Sequence, residues 1–182
     1  MSYIDLSLKQ KNAKEREFYK LSEIINNNKI SVILGAPGSC KSSLFKKYCK
    51  ENESTTKNLK VKEFIRLTVN INEDIKILLL DGLDEYRVVT RDKTFVLSEL
   101  GHKLNGLLES HKDLKIVISC REMDWYGESD KNALKDQINF EAVLFNILPL
   151  NIEQQKELGN LLQIENQEEF LDKFYEKGFL DN

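Results

Sequence analysis

Eight consecutive residues, Gly35-Ala36-Pro37-Gly38-Ser39-Cys40-Lys41-Ser42, carry the most specific chemistry in this 182-residue chain. Gly35 and Gly38 let the backbone wrap closely around an anion, because no Cβ blocks the approach. The freed N–H groups, and the N-terminus of a helix starting at the loop, would then point at phosphate. Lys41 would reach the β- and γ-phosphates, and the Ser42 hydroxyl would take a coordination site on Mg²⁺. Gly35 to Ser43 is therefore the candidate nucleotide-binding segment. One letter departs from the G-x-x-x-x-G-K-[ST] spacing: Cys40 stands where the second Gly belongs. Its Cβ and thiol would crowd the β-phosphate or strain the turn. A bare glycine-bearing turn would not explain the adjacent Lys41-Ser42.

A second constellation is acidic. The apolar run Ile77-Leu78-Leu79-Leu80 ends in Asp81-Gly82-Leu83-Asp84-Glu85. A carboxylate at such a strand end holds Mg²⁺ opposite the phosphate loop, the arrangement of a Walker B element. Asp81 and Ser42 are thus the candidate metal ligands. Either Asp84 or Glu85 would orient or deprotonate a water attacking the γ-phosphate; Glu85 is favoured as the base, with Asp84 a close alternative. Taken alone, the segment could be an acidic turn after a core strand. Its order after Lys41-Ser42 favours the metal role.

The third constellation is Cys120-Arg121-Glu122, which follows the apolar run Ile116-Val117-Ile118. Arg121 would sense the γ-phosphate or stabilise transition-state charge, or else pair on the surface with Glu122 or Asp124. Trp125-Tyr126 reads as rim packing rather than a base-stacking platform. Cys40 reads as a substitution rather than a nucleophile, since no His lies near it in sequence. His102 and His111 read as solvated.

These groups need strands to carry them and helices to cover the strands. Five short apolar runs read as strands: near Ile30–Leu34, Thr56–Val61, Lys76–Leu80, Leu114–Ser119 and Ala142–Leu148. Helical spacing appears at Ala13–Asn26 (Phe18, Leu21, Ile24 and Ile25 on one face) and after Lys41 (Leu44, Phe45, Tyr48 and Cys49). It recurs at Lys62–Val69, at Lys93–Ser110 (Phe95, Leu97, Leu100, Leu104, Leu107 and Leu108) and at Ala133–Ile138. Two further helices are expected near Ile152–Leu162 and Gln167–Lys177, and Trp125–Asp130 is expected as a loop. Alternation of strands with helices predicts an α/β fold: a mainly parallel, five-stranded sheet in a three-layer α/β/α sandwich. Ligands of such sheets bind beyond the carboxyl ends of the strands. All three constellations follow strands, so one rim would gather them.

Composition restricts the classes. Hydrophobic residues make up 41% of the chain, enough for a packed core. No apolar run has the length of a membrane span, and the N-terminus lacks an apolar signal core, so a cytoplasmic protein is expected. Cys40, Cys49 and Cys120 lack CxxC spacing, which gives neither a disulfide framework nor a zinc site. A formal net charge of −3 makes no electrostatic case for nucleic acid.

Together, ILGAPGSCKSSL, ILLLDGLDEYR and IVISCREMDW resemble the NACHT-type branch of the STAND P-loop NTPases, including bacterial members associated with antiphage defence. The similarity spans about Lys29 to Leu150, and the DGLDE form is its most specific part. It implies a P-loop NTPase core over residues 1–150. It implies also that 151–182 begin a small helical domain, and that the Ile116–Ser119 strand lies between the phosphate-loop strand and the Asp81 strand. Members are switches that bind ATP or ADP with Mg²⁺ and hydrolyse slowly. ADP holds a closed state, and exchange for ATP permits self-association and turns on a fused effector. By this resemblance the chain looks like a module of a larger protein. Two other classes share the loop. A nucleotide or small-molecule kinase would need an arginine-rich acceptor site, for which Arg87 and Arg91 are the candidates. A non-hydrolysing interaction module would keep the fold and lose turnover through Cys40.

Overall fold

The computed structural model describes residues 6–11, 18–67, 69–90 and 93–161. Six strands run β1 (Leu8–Gln10), β2 (Ile30–Gly35), β3 (Thr56–Lys60), β4 (Ile77–Asp81), β5 (Lys115–Arg121) and β6 (Val143–Ile147). The helices are α1 (Leu21–Asn27), α2 (Lys41–Glu51), α3 (Val61–Arg66), α4 (Leu83–Val89), α5 (Lys93–Ser110), α6 (Glu128–Ile138) and α7 (Ile152–Leu161). A 3₁₀ turn, Glu122–Asp124, follows β5.

The strands form one sheet in the order β1-β6-β2-β5-β4-β3. All pairs are parallel except β1 with β6. The strand bearing Ile116 to Ser119 does lie between the phosphate-loop strand and the Asp81 strand. Side-chain alternation divides the sheet between two cores, as period-two geometry requires. Ile30, Val32, Leu34, Leu78, Leu80, Ile116 and Ile118 face α3, α4, α5 and α6. Ile33, Leu79 and Val117 face α1 and α2. Helices on both faces make the expected α/β/α layering. No described helix is long and apolar enough to cross a membrane.

The sheet has six strands, not five. Leu8-Lys9-Gln10 was missed because a three-residue strand with one apolar side chain gives no periodic signal, although Leu8 is fully buried. The same pairing shortens the first helix. Tyr19 exchanges backbone hydrogen bonds with Leu8 (3.0 and 2.8 Å), so among the described residues helical bonding begins at Leu21; the expected start at Ala13 lies outside them. Phe18, expected inside, is exposed, and so is Phe95. A helix starts at Glu128, inside the expected loop, with Glu128 and Asp130 in its first turn, where carboxylates favour the helix dipole. His111, expected in solvent, sets its Nε2 2.9 Å from the Ile71 carbonyl. The expected helix Gln167–Lys177, Arg91 and most of 151–182 lie outside the described residues.

Candidate active site: the rim of β2, β3, β4 and β5

Parallel register aligns the strand ends. Gly35 pairs with Arg121, Leu80 with Ile118, and Lys60 with Asp81. The groups beyond those ends face a cleft of about 330 Å³, lined by Pro37 to Ser43, Asp81, Gly82, Asp84, Glu85, Ser119 and Arg121. That volume lies within the range of small-ligand sites. All three sequence constellations meet there. Gly35 and Ala36 lie at the back of the loop, contributing their carbonyls to Lys41. A second cleft of about 360 Å³ lies against α1 and α2, between Lys20 and Asn52, and contains none of the motif residues.

The loop from Gly35 to Ser42 is wound around its own lysine. Lys41 Nζ donates to the Gly35 carbonyl at 2.8 Å, to Ala36 at 2.9 Å and to Ser39 Oγ at 3.2 Å. Burial lowers the pKa of this ammonium from the ordinary lysine value, and the nearby Arg121 charge works in the same direction against Asp84 and Asp81. Gly38 has a φ of +80°, a conformation glycine adopts freely. Cys40 has φ +62° and ψ +21°, a left-handed conformation at the cap of α2. A glycine is the low-cost residue there, so Cys40 carries backbone strain. Its thiol lies exposed, 3.5 Å from the Gly38 carbonyl.

On the opposite wall, Asp81 is nearly buried. Ser119 Oγ donates to its Oδ1 at 2.7 Å, and Lys60 Nζ lies 2.8 Å from its Oδ2. Ser42 lines the same cleft as this carboxylate. Burial alone would raise the Asp81 pKa. The hydrogen bonds from Lys60 and Ser119 outweigh it and hold the carboxyl below its usual value. Ser42 and Asp81, the two candidate metal ligands, line the same cleft. Their oxygen donors suit a hard cation such as Mg²⁺. No cluster of three or more His, Cys, Asp or Glu able to hold a metal occurs among the described residues. Phosphate oxygens would have to complete any coordination shell.

The structure separates the two acids that sequence left open. Asp84 is buried and committed to Arg121: Oδ2 lies 2.9 Å from Arg121 Nε, and Oδ1 accepts the Arg121 N–H at 3.2 Å. Arg121 thus pairs with Asp84, and neither Glu122 nor Asp124 is its partner. Glu85, by contrast, has a side chain 58% exposed and meets only the Lys60 ammonium, at 3.3 and 3.4 Å. Gly82, with φ +80°, makes the bend that starts α4; a Cβ there would meet Glu85 Cδ at 2.9 Å.

Two neighbours of Asp81 escaped the sequence reading. Lys60 was one lysine among several on a polar edge strand, and only register with Asp81 marks it. Burial would lower its pKa, but Asp81 and Glu85 raise it above the ordinary value. Ser119 follows a run of apolar residues, and its Oγ also accepts the Gly82 N–H at 2.9 Å. Arg87, a candidate for a kinase acceptor site, is buried instead. Its guanidinium forms a bidentate pair with Asp130 at 2.8 Å on each nitrogen and donates to the Asp124 carbonyl.

No protein-family profile matches the chain, and no curated protein matches it. Among solved structures it is similar to a Bacteroides Pif1 bound to ssDNA, at 12% identity and TM-score 0.40, over 69% of this chain and 40% of that one. It is also similar to Rif2 in a complex with the C-terminal domain of Rap1, at 16% identity and TM-score 0.46, over 75% of this chain and 55% of that one. The chain thus spans 40% and 55% of the length of the two structures it resembles.

Proposed function

We propose that this cleft binds a nucleoside di- or triphosphate with Mg²⁺, and that the chain is the nucleotide-binding module of a molecular switch with slow hydrolysis. The observation that carries the proposal is that Lys41 and Ser42 of the glycine-bearing loop line one cleft with Asp81 at the strand ends. Lys41, now bonded to loop carbonyls, would turn to the phosphates, which offer it full negative charge. Ser42 and Asp81 would hold the metal, which when bound neutralises phosphate charge. Glu85 would orient the attacking water, because Asp84 is spent on Arg121. Arg121, fixed through Nε by that pair, keeps its terminal nitrogens for phosphate.

A NACHT-type STAND identity, adenine as the base, self-association and a fused effector in a defence protein belong to this proposal through the sequence motifs. The kinase alternative loses Arg87, which is locked on Asp130. The non-hydrolysing alternative keeps one supporting observation, the strained Cys40 in the loop. The test is Lys41→Ala, with affinity for a fluorescent ATP analogue measured at saturating Mg²⁺. Binding falls beyond detection if the proposal holds; unchanged affinity refutes it. Phosphate release by the unaltered chain then separates slow hydrolysis from none.

A further inference from the structure

Lys60 ends the edge strand β3 directly beside Asp81. Its ammonium lies 2.8 Å from Asp81 Oδ2 and 3.3 Å and 3.4 Å from the two Glu85 oxygens. One cation therefore bridges the carboxylate assigned to the metal and the carboxylate assigned to the water. Asp81 also accepts a hydrogen bond from the Ser119 hydroxyl, and Ser42 lines the same cleft. A divalent cation placed between Ser42 and Asp81 would lie a few ångströms from the Lys60 charge. Two cations so close, in a half-buried site, repel strongly.

The two partners differ in freedom. Asp81 is held by the Ser119 hydroxyl and has a side chain only 7% exposed, whereas the Lys60 side chain is 42% exposed at the margin of the sheet. A long, flexible lysine stem reaches solvent at little cost. When the charges compete, Lys60 is the group that moves.

We infer that Lys60 is a positioning residue that stands in for the divalent cation: it neutralises Asp81 and restrains Glu85 before metal binds, and metal-bound nucleotide displaces it into solvent. The inference rests on the proposed nucleotide site. It adds an ordering device, since Glu85 is released for water only after the metal has arrived. Loading and activation of the base are thereby coupled through one side chain. By linkage, an ammonium that must leave weakens apparent metal affinity by the stability of the contact it gives up.

The test titrates Mg²⁺ against a fixed fluorescent ATP analogue, using the full chain, Lys60→Met and Lys60→Arg. Lys60→Met is expected to lower the half-saturating Mg²⁺ by up to about fivefold, the effect of removing one partly exposed ionic competitor. Lys60→Arg, which keeps the charge, should stay close to the unaltered chain. An unchanged Mg²⁺ midpoint in Lys60→Met overturns the inference. So does weaker nucleotide affinity at saturating Mg²⁺, which would mean that Lys60 contacts phosphate. A second readout needs no variant: acylation of Lys60 by acetic anhydride, followed by mass spectrometry, should be faster with Mg²⁺ and ADP than with neither. Equal rates overturn the inference, however the variants behave. Failure of nucleotide to bind the unaltered chain removes the site itself; binding with an unshifted midpoint removes only the role of Lys60.

Discussion

Removing the Asp130 carboxylate tests the packing that steadies the acidic wall. Asp130 accepts two hydrogen bonds from Arg87 at 2.8 Å each and one from the Tyr126 N–H at 2.7 Å. Arg87 is 2% exposed, and its guanidinium lies 5.0 Å from the centre of the Tyr126 ring. Asp130→Ala leaves that cation buried with the Asp124 carbonyl, the Tyr126 ring and no counter-charge. Breaking a buried pair from one side costs about 3–5 kcal/mol. For a domain of this size, each kcal/mol moves Tm by roughly 2–4 °C, so a fall of about 6–20 °C is expected. Thermal unfolding followed by circular dichroism measures it, and urea unfolding gives the free-energy cost. The double variant Arg87→Met/Asp130→Leu should recover most of the loss, because two apolar groups need no partner. A cost for Asp130→Ala under about 1 kcal/mol would refute the reasoning. The pair would then be solvated in solution, and Arg87 would again be available as a ligand-binding arginine.

Three further outcomes follow from the site. Cys40→Gly relieves a left-handed conformation costing about 1–2 kcal/mol, less about 0.5–1 kcal/mol for the entropy of glycine. Thermal melts should show a small gain, and a loss would mean that the thiol contact with Gly38 matters more than the backbone. Glu85→Gln should keep nucleotide binding and slow phosphate release by about 10²–10⁴-fold, whereas Asp84→Asn should mainly loosen Arg121. Equal binding and a full rate in Glu85→Gln would move the base elsewhere. Burial pushes the Cys120 thiol up to about 12, above its unfolded value of about 8.5. Its contribution to stability is thus complete below about pH 8.5 and is lost as pH rises toward the folded value. Iodoacetamide at pH 8 should label exposed Cys40 and spare Cys120 in the native protein; comparable labelling of both would contradict that burial.

Local signals in this chain were legible where one segment carries its own information. The phosphate loop announces itself by glycines, Lys41 and Ser42 within eight residues, because the chemistry is done largely by contiguous backbone. The core strands were legible because Ile77 to Leu80 and Ile116 to Ile118 are buried on both faces and need unbroken apolar runs. Leu8 to Gln10 was not, since a strand that short owes its existence to an edge offered by β6. The extra antiparallel strand in turn decided where α1 begins, through the Leu8–Tyr19 bridge.

Sequence by itself determined which residues are candidates for a phosphate and metal site, and that they follow strands. It favoured Glu85 over Asp84 as the base but could not give either acid its partner, because both are acids one residue apart. Tertiary structure set the partners: Arg121, 37 residues away, reaches Asp84, and Lys60, 25 residues away, reaches Glu85. The same is true of Arg87, whose burial depends on Asp130 arriving from α6. Residue type specifies what a side chain can do, but strand register and helix packing set which charges become neighbours. Coulombic and hydrogen-bond energies fall off within a few ångströms, so that choice is made only in the folded chain.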